Sequence, residues 1–252
     1  MNTQEAIFNY CLRLGDNALV LGHRYSEWCS RGPILEEDLA LTNTALDLIG
    51  RAQAFLNYAG QIEAKGRSAD DLAYKRAERK FLNNLIVELP NGDFAFTMAR
   101  QLLFSAYEFY LYEALSKSKD PQIAAIALKG LKEVGYHLEH AADWALRLGD
   151  GTEESHNRYQ SAINGLWPYT DELFEMNASD EILKEADVAP DLSHIKSKWL
   201  LKVTDLLSAA NIKIPGNVYM HTGSREGIHT EHLGHMLSEM QYLQRAYPDA
   251  KW

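Results

Sequence analysis

Ile7, Cys11, Leu14, Ala18, Leu21, Tyr25 and Trp28 recur near the start of the chain at intervals of 4-3-4-3-4-3. That rhythm keeps one apolar stripe on one side of an α-helix for about six turns, and no strand could gather it on one face. A helix this long is held by burying its stripe against other long helices, so the chain is expected to be a helical bundle. Gly32-Pro33 reads as the end of the first helix, and Glu36, Glu37 and Asp38 suit the positive start of a second. The second is expected to run to about Gly60 with Leu39, Leu46, Ile49 and Leu56 inward. A third, from about Asp70 to Leu89, shows Phe81, Leu82, Leu85 and Ile86 before the Pro90-Asn91-Gly92 break.

The fourth helix, Asp93 to Ser116, is apolar almost all round and belongs at the centre of the bundle. A fifth begins near Pro121 and continues to about Leu148; a sixth starts near Thr152 and ends or kinks at Pro168. A short helix around Asp180 to Ala186 precedes a seventh long one, Leu192 to Ala210. The stretch Ile212 to Val218 suits an extended segment, and a last helix is expected from Ser224 to Tyr247. No Gly/Ser-rich linker or long charge run interrupts residues 1–252, which are therefore read as a single helical domain.

Composition narrows the function classes. The net charge of −10 opposes binding to a phosphate backbone, so no nucleic-acid partner is expected. No apolar run approaches the roughly 18–20 residues of a membrane span, and the first residues lack the basic region of a secretory leader. Cys11 and Cys29 fall in the same expected helix, about 27 Å apart at about 1.5 Å per residue, too far to bridge. Reduced thiols suit a cytoplasmic protein.

The chemistry to look for in a long-helix bundle is a carboxylate-bridged di-iron centre, built from two single Glu residues and two Glu-x-x-His pairs. Only Glu153-Glu154-Ser155-His156 and Glu226-Gly227-Ile228-His229 match that spacing, and both read as solvated helix starts. The mid-helix acids are Asp16, Asp47, Glu108 and Glu133. Three residues after Asp47 stands Gly50, and three after Glu133 stands Tyr136, so neither supplies an imidazole. Glu133, His137 and His140 share a face and are the ligands of choice should the chain hold a metal. His229, His232 and His235 form a three-residue ladder near Glu226 and Glu231, read as a histidine-rich contact surface. Buried acids need partners, and His23, two turns from Asp16, is one candidate. Arg31, Arg51, Lys75, Arg76, Arg79 and Lys80 are read as solvated cations.

The segment LGDNALVLGHRYSEWCSRGPILEEDLALTNTALDLIGRA (Leu14 to Ala52) closely resembles the C-subunit family of bacterial phenylacetyl-CoA oxygenases, the epoxidases of aerobic phenylacetate degradation. The tail REGIHTEHLGHMLSEMQYLQRAYPDAKW (Arg225 to Trp252) resembles the end of the same family's chains, and EVGYHLEHAADW (Glu133 to Trp144) fits between them. The resemblance implies an all-α, ferritin-like long-helix bundle with additional C-terminal helices. It also implies a non-catalytic, structural subunit that pairs with a catalytic A subunit holding the di-iron centre, with electrons arriving from a separate reductase. On that reading the chain has no catalytic residue, no metal or cofactor of its own and no turnover alone, and phenylacetyl-CoA is a ligand to look for at the interface. Asp16, Asp47, Gly50, Glu108, Glu133 and Tyr136 then mark a degenerate site. The alternative is an independent metal-dependent oxidase with a non-standard Glu/His site; iron storage fits the length and extra helices poorly.

Overall fold

The computed structural model describes residues 1–248 and 250; Asp249, Lys251 and Trp252, the close of the tail just quoted, lie outside the described residues. Among the described residues eleven α-helices follow one another: α1 (Thr3–Ser26), α2 (Leu35–Glu63), α3 (Ala69–Tyr74), α4 (Leu85–Glu88), α5 (Phe94–Leu115), α6 (Pro121–Gly149), α7 (Glu153–Leu166), α8 (Ala178–Glu185), α9 (Leu192–Ala209), α10 (Glu231–Met240) and α11 (Tyr242–Ala246). The same residues form no strand, and no helix is long and apolar enough to cross a membrane.

Two antiparallel pairs, α1 with α2 and α5 with α6, pack face to face as a ferritin-like bundle, and α7 and α9 cover the far side of α5. Glycine sets the closeness of the first pair. A Cβ at Gly15 would meet Leu56 Cδ2 at 2.8 Å, and one at Gly22 would meet Ile49 Cγ1 at 3.1 Å. The helix starts are capped by short polar side chains: Asn2 accepts from Glu5 N, Asp93 from Phe96 N, and Asp120 from Gln122 N and Ile123 N ahead of Pro121. α5 lies at the centre, with Ala99, Leu102, Leu103 and Ala106 fully buried.

Several boundaries differ from expectation. α1 stops at Ser26, before Gly32-Pro33, because Ser30 takes a left-handed conformation (φ 66°) that turns the chain. Cys29 therefore lies outside α1 and is exposed, while Cys11 is buried inside it. The expected helix from Asp70 to Leu89 is broken into α3, a 3₁₀ turn (Glu78–Lys80) and α4. Buried side chains elsewhere capture its backbone donors: Asp16 accepts from Leu82 N at 2.9 Å, Asn17 from Asn84 N at 2.7 Å and Glu172 from Leu85 N at 2.8 Å. The expected last helix is likewise divided, since Gly223 (φ 126°) and Gly227 (φ 71°) turn the chain and α10 begins only at Glu231. Residues 212–218 are irregular; the Gln160 side chain bonds both Lys213 N and Lys213 O at 2.8 Å, where a strand neighbour would have stood.

Candidate functional site

The acids of α2, α5 and α6 meet around Arg51. It follows Asp47 by about one turn on α2 and is 3 % exposed. Arg51 Nη1 donates to Glu108 Oε2 at 3.3 Å, and its Nε lies 3.7 Å from Glu133 Oε2. The guanidinium also stands over the Tyr112 ring, 5.3 Å from its centroid. Gly130 makes room for it, because a Cβ there would come within 3.0 Å of Arg51 Cδ. Burial works against the Arg51 charge, but Glu108, Tyr112, Glu133 and Asp47 outweigh it and hold its pKa above the usual range. Burial also pushes the Glu108 and Glu133 carboxyls up, with Arg51 pulling against it. Arg51 Nε and Nη2, Glu133 Oε2 and His137 Nδ1 are left without a hydrogen-bond partner, so the centre has spare polar capacity.

That arrangement does not fit a di-metal centre. A dication drawn to Glu108 and Glu133 would lie beside the guanidinium, and at ~4 Å the repulsion is about 8 kcal/mol for an effective dielectric of ~20. Glu133, His137 and His140 do share a face, as their spacing predicts, but each is engaged separately. Glu133 faces Arg51, His137 Nε2 meets Asp47 Oδ2 at 3.0 Å, and His140 Nε2 meets Glu37 Oε2 at 2.8 Å. Burial lowers the His137 pKa, so its ring is neutral and donates from Nε2 to Asp47. Among the described residues, no three His, Cys, Asp or Glu side chains converge to hold a metal ion.

Gly50 and Tyr136 lie elsewhere than expected. Gly50 is on the outer face of α2 with nothing within 4 Å of a built Cβ, and Tyr136 is 53 % exposed, stacked on His140. An imidazole at residue 50 would reach solvent and not the bundle interior. The positive group at the centre is instead Arg51, one residue further along, where the buried stripe of Leu48, Ala52 and Phe55 passes. This buried arginine is what sequence reasoning missed; its position one turn after Asp47, in phase with that stripe, was the available signal.

Asp16 belongs to a second centre. It is fully buried and both its oxygens bind the Arg76 guanidinium, which lies 4.2 Å above the Phe81 ring. His23 is not its partner; the ring bonds Leu19 O at 2.8 Å through Nδ1. Arg76 and Arg51 are thus interior groups and not solvated ones. Arg13, paired with Asp180, and Arg100, bonded to Leu89 O and Asn91, repeat the pattern.

The two Glu-x-x-His matches also resolve into structural roles. His156 Nδ1 bonds Gly149 O at 2.8 Å while Glu154 faces Arg158. His229 sits before α10, so it forms no helical ladder with His232 and His235, and its ring is fully shielded. Its Nδ1 meets Glu88 Oε2 at 2.8 Å and its Nε2 meets Phe81 O at 2.9 Å. Two acceptors require two N–H donors, so His229 is an imidazolium; Glu88 overcomes the cost of burial and raises its pKa.

On α2, the apolar residues fall into two stripes. Leu41, Ala45, Leu48, Ala52, Phe55 and Ala59 face the core, whereas Leu35, Leu39 and Leu46 look outward, Leu46 being 62 % exposed, and Ile49 edges that stripe with one side against Gly22 of α1. The expected inward placement of Leu39, Leu46 and Ile49 is therefore corrected; only Leu56 of that set is buried. α1 already occupies one flank of α2 and α6 the other, and Leu35, Leu39 and Leu46 between them stay exposed.

A family model described as "Phenylacetic acid catabolic protein" matches residues 1–252. The chain is 47 % identical over 243 residues to a protein of Escherichia coli (strain K12) named as the C subunit of 1,2-phenylacetyl-CoA epoxidase, covering 96 % of this chain and 98 % of the relative. A match along the whole length, on a bundle whose acids converge on an arginine, makes this chain a member of the phenylacetic acid catabolic protein family.

Proposed function

We propose that this chain is the C-type subunit of a phenylacetyl-CoA epoxidase in phenylacetate catabolism, serving as a scaffold with no metal centre of its own. The observation that supports this most is the Arg51 guanidinium between Glu108 and Glu133, a resident cation where a metal pair would otherwise stand. On this reading the di-iron centre and the epoxidation belong to a catalytic A subunit, fed by a reductase. This chain buttresses the A subunit through the outer face of α2. The Leu35, Leu39, Leu46 and Ile49 stripe spans about four turns, and Gly50 beside it lets another helix approach closely. The free thiols Cys11 and Cys29 agree with residence in the reducing cytoplasm.

The test is co-expression with the A subunit, followed by co-purification and elemental analysis of both chains. The expected result is a stable complex with iron confined to the A subunit, and Leu39→Asp/Leu46→Asp abolishing the complex while leaving this chain folded. Stoichiometric iron, manganese or zinc in this chain alone, lost on Glu133→Ala or His137→Ala, would establish the independent oxidase instead.

A further inference from the structure

A basic concavity of this acidic chain lies away from both the Arg51 centre and the α2 stripe. A groove of about 510 Å³ runs between the N-terminal half of α1, the turn Arg76 to Leu82, and the Arg225-Glu226 loop. That volume is within the roughly 300–1,000 Å³ of small-ligand sites. Phe8, Leu12 and Leu82 give it an apolar side, while Arg67, Arg76, Arg79, Lys80 and Arg225 supply five cations against the single lining carboxylate, Glu226. The chain as a whole carries −10, so this clustering runs against its average charge.

The five cations are not equivalent. Arg67 is held by Glu63 through two bonds of 2.6 Å, and Arg76 by Asp16 and Lys80 O. Arg225 is fixed by Asn84 Oδ1 at 3.0 Å and by main-chain oxygens of Glu172 and Glu175. These three are rigid walls. Arg79 and Lys80 are exposed, and among the described residues neither has a carboxylate within salt-bridge reach. The turn that carries them is itself clamped, because Gly227 approaches Arg79 O so closely that a Cβ there would lie 2.3 Å away. Two free cations are thus presented by a fixed backbone above an apolar floor. Burial and the nearby Arg13 charge depress the Arg225 pKa, against the pull of Tyr107, Asp180 and Glu172.

We infer that this groove binds an organic phosphate, with the phosphate on Arg79 and Lys80 and an apolar or aromatic body over Phe8, Leu12 and Leu82. A small phosphate ester suits the feature better than an acidic protein surface, because the cations line a concavity with an apolar floor and do not form a convex patch. Free nucleotides and CoA thioesters share this chemistry. The CoA source rests on the function proposed above, whereas the nucleotide and pyrophosphate sources do not.

The experiment is calorimetric titration of the full chain with pyrophosphate, ADP and CoA separately, at about 50 mM salt where surface charges are weakly screened. Saturable binding is expected to weaken about tenfold in Arg79→Ala/Lys80→Ala, as two charge-assisted phosphate contacts are lost. Phe8→Ala is expected to weaken ADP and CoA but leave pyrophosphate unchanged. Lys129→Ala/Lys132→Ala, on the remote surface of α6, serves as the control and should bind like the parent. Tighter binding of CoA than of ADP would identify the CoA skeleton as the source, and equal binding would identify the nucleotide portion. Absence of binding by all three probes, or equal loss in the α6 control, would overturn the assignment. So would intact binding in the Arg79/Lys80 variant, even if that variant weakened subunit association.

Discussion

Replacing Arg51 by methionine removes the cation but keeps much of the aliphatic volume, and it leaves two carboxylates facing each other in the bundle. The Arg51 side chain is 2 % exposed, that of Glu108 5 % and that of Glu133 19 %, so Glu133 can draw on water but Glu108 cannot. Breaking a buried pair by deleting one partner costs about 3–5 kcal/mol, more than the pair itself contributes, because the remaining charge is stranded. For a chain of this size that corresponds to a fall in Tm of roughly 6–20 °C. The cost depends on pH. In the variant the Glu108 pKa rises further above its unfolded value, so the folded state holds a proton the unfolded state has released. A raised group stabilises at low pH and loses that contribution as pH rises through its folded pKa. The deficit against the parent should therefore shrink by at least about 1 kcal/mol between pH ~7 and pH ~5. Adding Glu108→Gln should recover part of it near pH ~7. Urea unfolding followed by tryptophan fluorescence measures both quantities. A deficit under about 1 kcal/mol, or one of equal size at both pH values, would refute the picture of a cation neutralising buried carboxylates.

Three further outcomes are expected. His229→Gln should lower stability by about 2–4 kcal/mol, since Glu88 loses a charged donor. Because the His229 pKa is raised, its contribution is complete below the usual imidazole range and fades as pH rises through the folded value; parent and variant melting curves should converge in mild alkali and diverge near pH ~6. Gly50→Ala should stabilise the isolated chain by about 0.5–1 kcal/mol, as its site is open and mid-helical, yet weaken co-purification with the A subunit. Gly60→Ala, by contrast, drives a Cβ to 2.3 Å from Arg67 O and should unfold the α2–α3 corner, read as rapid proteolysis there.

The long helices were legible wherever local and tertiary preferences agree. α5, α6, α7 and α9 begin and end close to where their caps, prolines and glycines place them. The break in residues 70–89 is a case of buried polar groups overruling periodicity. Residues 70–89 show a helical pattern, but Asp16, Asn17 and Glu172, far off in sequence, take the amides that would have continued it. The expected helix from Ser224 to Tyr247 is divided by the turns at Gly223 and Gly227, and Glu88 takes Thr230 N at 2.6 Å just ahead of α10. On α2, periodicity found the apolar residues without telling which of two stripes faced inward. The acids of the candidate site were found by position, and Glu108 and Glu133 do converge with Asp47. Their counter-ion was missed because arginine in a sequence is read first as solvated, and only the packing of α2 on α6 shows that residue 51 has no route to water.

The two broken stretches hold each other in place, and this has a consequence for how the protein is made. Arg76 O accepts from both Gln241 Nε2 and Arg245 Nη2, Ala73 O accepts from Gln241, Phe81 O from His229, and Asn84 Oδ1 from Arg225. The acceptors of residues 73–88 therefore have only water as a partner until residues 225–245 have left the ribosome. At about 5–20 residues per second, that delay is on the order of 10 s. Over that interval α1 and α2 can close on each other, but the corner between α2 and α5 stays open, a window for chaperone binding and for cleavage of stalled chains.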